Sequence, residues 1–182
     1  MDRRKAILEA ALESFSANGE VAIEDVKRRS GASVGSIYHH YGGKDGIAAE
    51  LYLQVLGEYQ SGARAALDRA GSTEDGVKGL VRHHLRWVEE NPGGARFLLQ
   101  GSGARKEAEG DLRELNQGLS AAVANWLEHR PDIRSIPLEI FYAIVIGPAQ
   151  ELSRLWLSER IPSLRKVEKD LADAAWRGVR SD

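Results

Sequence analysis

Apolar side chains recur along this chain at spacings of three and four, and nowhere over any length at two. That pattern predicts helices throughout. Ile7, Leu8, Ala11, Leu12 and Phe15 make one face of a helix over Arg3 to Asn18, closed by Asn18-Gly19. Ile23 and Val26 give a short second helix its apolar side, with Lys27, Arg28 and Arg29 toward water, and Gly31 marks the exit, where left-handed backbone favours glycine. Ser33 restarts the chain as the N-cap of a third helix, its hydroxyl accepting from an N–H two or three residues on. Ile37 and Tyr41, four apart, anchor that helix to a core. After Gly42-Gly43, a fourth helix begins near Lys44 and runs toward Gly62, with Ile47, Leu51, Val55 and Leu56 on one face.

Gly71-Ser72-Thr73 reads as a boundary. Beyond it lie long amphipathic segments without an internal repeat. Val77, Leu80, Val81, His84, Leu85 and Val88 stripe one helix, closed by Asn91-Pro92-Gly93, and a shorter segment spans Ala95 to Gln100. Gly101 to Asp111 reads as a loop or a frayed helix start. Leu112, Leu115, Leu119, Val123, Trp126 and Leu127 stripe the next helix. Phe141, Ile144, Val145, Leu152, Leu155 and Trp156 stripe another, which Gly147-Pro148 should kink by removing a backbone hydrogen bond. Ser163 then caps a last helix through Leu164, Val167, Leu171 and Ala175. The fold class is all-α.

The third helix has an unusual surface. Away from Ile37 and Tyr41 it carries Val34, Gly35, Ser36, Tyr38, His39 and His40, small or hydrogen-bonding groups in place of a solvated mix of charges. A helix anchored on one side and chemically specific on the other suits the major groove of duplex DNA. Tyr38 and His40 are assigned to phosphates, and Val34, Gly35, Ser36 and His39 to base edges, together with the capping Ser33 at the same surface. Val34 suits a thymine methyl, and Gly35 lets the helix come close.

The run from Arg4 through Tyr52 resembles the DNA-binding domain of TetR-family transcriptional regulators. The resemblance rests on the Ile7/Ala11/Phe15 spacing, Asp25-Val26, Ser30-Gly31-Ala32-Ser33, Gly35-Ser36-Ile37-Tyr38-His39-His40-Tyr41 and Lys44-Asp45-Gly46-Ile47. These are kept at fixed spacing across three helices and two turns. Two positions depart from the family pattern: Ala22 stands where a capping Thr is usual, and Val34 where a polar or basic residue is common. The resemblance implies a three-helix helix-turn-helix DNA-binding domain over residues 1–46, with the helix of about residues 44–62 bridging, and a larger helical ligand-binding and dimerisation domain over 47–182. It implies a sequence-specific regulator, a repressor released from a palindromic double-stranded operator by a small molecule. It further implies a homodimer through the last two helices, here Pro137–Glu159 and Ser163–Gly178, where Trp156 and Trp176 suit either an apolar contact or monomer core. Trp87, Phe97, Trp126, Phe141 and Tyr142 either line the implied pocket or fill the core, so an apolar or aromatic effector is expected. His84 on its apolar stripe is either a hydrogen-bonded core histidine or a polar handle in that pocket. Lys44 opposes the dipole of its helix start. It is either a tolerated surface lysine or, with the free N–H groups there, a holder of phosphate, and the resemblance favours the second.

Composition narrows the rest. The 182 residues, 42% hydrophobic, suit one long domain or a small domain joined to a larger one. With no cysteine, disulfides, thiolate metal sites and Cys nucleophiles are excluded, which suits a cytoplasmic location. No apolar signal region follows the basic start at Met1 to Lys5, and the longest apolar stretch, Phe141 to Ala149, falls short of the ~20 residues of a membrane span. His83-His84 point about 100° apart on a helix, so no metal is expected. No catalytic constellation and no cofactor motif appear, and an enzyme is not expected. Net charge is −2, and residues 1–60 hold seven Lys/Arg against nine Asp/Glu, again −2. DNA affinity needs a local basic surface, for which Arg3, Arg4, Lys5, Lys27, Arg28, Arg29 and Lys44 are the candidates, and few phosphate contacts are expected. The acidic balance and Ala22 support an alternative, an α-helical small-molecule-binding module without specific DNA binding.

Overall fold

The computed structural model describes residues 3–181, so Met1 and Asp2 of the basic start, and Asp182, lie outside the described residues. Eleven helices form among the described residues: α1 (Arg3–Asn18), α2 (Ile23–Ser30), α3 (Val34–Tyr41), α4 (Lys44–Asp68), α5 (Thr73–Glu90), α6 (Pro92–Gln100), α7 (Ser102–Glu107), α8 (Glu109–Glu128), α9 (Leu138–Val145), α10 (Gly147–Leu157) and α11 (Glu168–Val179). Among the same residues one antiparallel bridge joins Ile133 to Arg180. The all-α expectation holds, and the first three helices fall where the periodicity predicts.

The chain divides into two compact units that are not contiguous in sequence. The first holds the described residues up to Gly57 together with Pro92–Leu115, and the second holds Glu58–Asn91 and the residues from Asn116 on. Two of the three boundaries fall inside a helix, one in α4 and one in α8, and the third lies between α5 and α6.

In the first unit α1 packs on α2 and α6, and Ile7, Leu8, Ala11 and Phe15 of α1, Val26 of α2, Ile37 of α3, and Ile47 and Leu51 of α4 are all buried. The Phe15 ring meets Phe97 of α6 edge-on, with centroids 4.9 Å apart, and Tyr52 lies 6.2 Å from the same ring. Burying a phenylalanine contributes about 1.5–3 kcal/mol, so α6 is bound to the helix-turn-helix by more than chain connectivity. Ala22 supplies no side-chain cap to α2. Its own N–H is held instead by the buried Ser14, whose Oγ accepts from Ala22 N at 3.1 Å and donates to the Glu20 carbonyl at 3.3 Å.

In the second unit Val77, Leu80, Val81, Leu85 and Val88 of α5 are buried as the stripe predicts. α11 packs on α5 and α9, and α10 packs on α9 and α5. Three expectations need correction. α4 does not stop near Gly62 but continues to Asp68. There Gly62 is a notch rather than a terminator, because a Cβ would stand 2.2 Å from Cε1 of His83 on α5. Of the two readings of the stretch 101–111, the helical one fits, since it contains α7 and the start of α8. Ser163 does not cap the last helix, which begins only at Glu168. The Ser163 hydroxyl and the Leu164 and Arg165 N–H groups all donate to Oε1 of Glu89, which fixes the connecting turn to the end of α5. Gly147-Pro148 acts more strongly than a kink and separates α9 from α10. The segment Pro137–Glu159 is therefore two helices.

Ser14→Ala leaves the Ala22 N–H and the Glu20 carbonyl without their buried partner. The expected cost is about 1–3 kcal/mol. It should be read as a lower urea midpoint at unchanged slope.

Candidate nucleic-acid interface

The turn between α2 and α3 is built from backbone geometry. Gly31 has φ 68°, and its N–H closes on the Lys27 carbonyl at 3.0 Å. Ser33 Oγ accepts from Ser36 N–H at 3.1 Å, as the capping pattern predicts. Ile37 is fully buried and fixes the roll of α3 about its axis. The opposite side is open: Ser33, Gly35, Tyr38, His39 and His40 are exposed, Tyr38 by 53%, while Val34 and Ser36 are half-buried. Gly35, Tyr38 and His39 stand at i, i+3 and i+4 and so share one face. Tyr41, the second anchor, donates from its hydroxyl to the Arg4 carbonyl at 3.1 Å, tying α3 to the start of α1.

Lys44 follows at once. Gly42 has φ 71° and Gly43 φ 139°, both conformations that disfavour side chains, and the Tyr38 ring lies over Gly43, 3.4 Å from where a Cβ would be. Lys44 is the first residue of α4, and its Nζ meets Glu20 Oε2 at 2.5 Å. That hydrogen bond and the lysine charge hold the Glu20 carboxyl below its ordinary range.

Six of the seven candidate cations have an acidic partner in this structure. Arg4 pairs with Glu50, Lys5 with Glu9, Lys27 with Glu24, Arg28 with Asp25, Arg29 with both Asp25 and Glu13, and Lys44 with Glu20. Hydrogen bonding from Arg29 first, and from Arg28 after it, draws the Asp25 carboxyl below its usual value. Exposed pairs of this kind are worth little each, so a phosphate can replace the carboxylate at small cost.

The residues expected to form a pocket do not share one lining. Phe97 belongs to the first unit, packed on Phe15 and Tyr52. The other five lie in the second. His84 is buried with both ring nitrogens engaged, Nδ1 with the Tyr59 hydroxyl at 3.0 Å and Nε2 with Ser153 Oγ at 3.1 Å. Burial, and then the charge of His83, push its pKa down to about 4. The hydrogen-bonded core reading of His84 fits this geometry. Trp87 meets the Tyr59 ring edge-on at 5.2 Å and, with His83, Arg69, Arg82 and Arg86, lines a groove of about 520 Å³. Trp126 sits in a notch at Gly76, where a Cβ would be 2.2 Å from Cζ2, with Arg130 4.8 Å from its ring centroid. Phe141 is fully buried, and Tyr142 beside it is half-buried. Sequence reasoning passed over Tyr59, which touches His83, His84 and Trp87 at once. Its position four residues after Val55 on the α4 stripe was the available signal.

Residues 7–51 match the family model described as bacterial regulatory proteins of the tetR family. Over 88 residues the chain is 33% identical to the HTH-type transcriptional regulator BetI 1 of Chromohalobacter salexigens, a match covering 47% of this chain and 40% of that relative. The match thus spans about two fifths of the length of the curated relative. Among solved structures, a TetR family transcription regulator from Marinobacter aquaeolei VT8 is similar with a TM-score of 0.79 at 17% identity, covering 99% of this chain and 96% of that one. The ketosteroid transcriptional regulator KstR2 of Mycobacterium tuberculosis is similar with a TM-score of 0.72 at 16% identity, covering 100% and 96%. These two likenesses establish the fold along the whole chain.

The neutral, buried His84 has a consequence for stability. Its pKa is about 4 in the fold and about 6.5 in an unfolded chain. Between those values the unfolded chain binds the extra proton, so stability present above about pH 6.5 is lost as pH falls toward 4. The full effect is roughly 3 kcal/mol, and His83, also lowered chiefly by burial, acts in the same direction. Denaturant midpoints should drop on acidification through this window, and His84→Gln should flatten part of that slope.

Proposed function

We propose that this chain, whose residues 7–51 match the tetR family model, is a DNA-binding transcriptional regulator of the TetR family and works as a dimeric repressor that a small molecule releases from its operator. The observation that carries the DNA-reading part is the exposed face of α3, presented by a fully buried Ile37 and a tethered Tyr41. Gly35 and His39 face outward and take the leading share of base reading, with the half-buried Val34 and Ser36 contributing from their outer edges. Tyr38, His40 and the hydroxyl of Ser33 hold phosphates beside them. Lys44 exchanges Glu20 for a phosphate, which the first N–H groups of α4 also meet. No helix among the described residues is long and apolar enough to cross a membrane; a cytoplasmic location is part of the proposal and follows from the proposed action on DNA.

One recognition helix of about two turns reads too few base pairs for an operator, so two copies must present their helices to grooves about 34 Å apart or a multiple of it. Ile140 on α9 is 48% exposed, and Trp156 and Trp176 on α10 and α11 are half-buried in the single chain. This apolar surface supports pairing through the last helices. Release follows if the effector prefers the conformation that does not fit DNA, since differential affinity is all that a ligand can use. The polar and aromatic interior of the second unit supports a bound effector. The neutralised cations favour a second reading, a small-molecule-binding module without specific DNA binding.

Selection of bound sequences from random duplex DNA at two salt concentrations separates these readings. A palindrome with half-sites in helical phase is expected. Weak binding erased by salt, with no enriched sequence, would move the assignment to the second reading. Within the first, Glu20→Gln frees Lys44 and should tighten binding to all sequences alike by about two- to fivefold. His39→Ala or Ser36→Ala should instead change the selected sequence.

A further inference from the structure

The second unit holds an arginine without a counter-ion. Arg64 lies on α4, and its Nε is enclosed by protein and makes no hydrogen bond. No Asp or Glu pairs with it among the described residues. Its guanidinium is pressed toward α8 at Gly118, where a Cβ would stand 2.7 Å from Nη2. One turn back on α4, Gln60 is only 3% exposed; its Nε2 donates to Asn116 Oδ1 at 2.9 Å while its Oε1 has no partner. The half-buried Tyr142 on α9 completes the cluster. Its hydroxyl is enclosed and makes no hydrogen bond, and burial raises its pKa above the usual range, against the nearby Ser120 hydroxyl and the positive charge of Arg64. Gln60 and Arg64 are four apart on α4, and Asn116 and Ser120 four apart on α8, so two polar faces and the Tyr142 hydroxyl converge.

An arginine cannot shed its proton to relieve this burial. A guanidinium enclosed without an anion costs stability, and such groups are otherwise found paired. Its planar fork of N–H donors matches a carboxylate in a two-bond arrangement. We propose that the effector is an organic carboxylate with an apolar body, its acid group held by Arg64 and the Tyr142 hydroxyl. This rests on the reading of the chain as a ligand-released regulator and adds the charge that the aromatic residues alone do not indicate.

The test uses the full chain and two matched series: straight-chain acids from butanoate to hexadecanoate with benzoate, phenylacetate and naphthoate, and the primary amides of the same compounds. Thermal midpoints without DNA and release of the selected duplex are both measured. At least one acid should raise Tm and release DNA while its amide does neither. Arg64→Met should lower the affinity for that acid about tenfold or more, and Arg64→Lys should recover part of the loss. Without ligand, Arg64→Met should raise Tm, because it removes an unpaired charge. The carboxylate assignment is overturned if no acid raises Tm, if acid and amide act alike, or if Arg64→Met lowers the ligand-free Tm. An acid that raises Tm through Arg64 without releasing DNA would keep the carboxylate site and remove the repressor reading. Release by amides, unaffected by Arg64→Met, would do the reverse.

Discussion

The reading head depends on how closely α4 begins against the end of α3. At Gly46, in the first turn of α4, a Cβ would stand 1.8 Å from the Tyr41 carbonyl oxygen. Backbone cannot yield at that distance as a flexible side chain can, so the position admits only hydrogen. The contact folds the chain from one helix into the next across Gly42 and Gly43, both at positive φ. From it follow the burial of Ile37 and Ile47 in one core, the packing of Tyr38 over Gly43, and the placing of Lys44 beside the exposed face of α3. A looser turn would leave the same residues on the surface with no fixed relation between them.

Charge is managed on the same small scale. Six of the seven N-terminal cations are held by carboxylates one helical turn away or on a neighbouring segment, so the candidate DNA-reading surface carries no excess of bare positive charge. On the proposed reading the carboxylates compete with the phosphates for these cations, and DNA binding is an exchange of anions rather than a capture by bare charge. Such a surface gives up long-range attraction and leaves more of the discrimination to the uncharged side chains of α3. The interior of the second unit takes the opposite course, with Arg64 partly enclosed and no acid paired with it among the described residues.

Much of this was legible in the sequence, where the signal was local. Gly31, Ser33 and Gly42 announce their conformations by residue type, and the stripe from Val77 to Val88 gives α5 and its buried face. What failed was long-range. Gly62 looks like a helix end, yet it makes room for His83, a residue 21 positions away. Ending α4 there also removed Arg64 from any helix face, so this enclosed cation escaped notice and the effector was expected to be only apolar or aromatic. Ser163 carries the right side chain for a cap, but Glu89 claims its hydroxyl and the following N–H groups first. Ala22 announces a missing cap correctly, whereas its substitute, Ser14, sits eight residues upstream on a different helix. Spacing cannot show that Phe97 serves the core of the first unit while Trp87, ten residues earlier, serves that of the second.

That last separation bears on how such a protein can be taken apart or recombined. The core beneath α3 is closed by α6, through the edge contact of Phe97 with Phe15 and the seat of Gly93 against Ser16, where a Cβ would lie 2.9 Å from Oγ. A fragment cut anywhere before Pro92 would carry the whole helix-turn-helix and lack its floor. Grafting a reading head from a relative would likewise import one half of an aromatic pair and leave the other behind. The inheritable module is an interleaved set of two stretches, and a change in operator preference by exchange of parts has to move both.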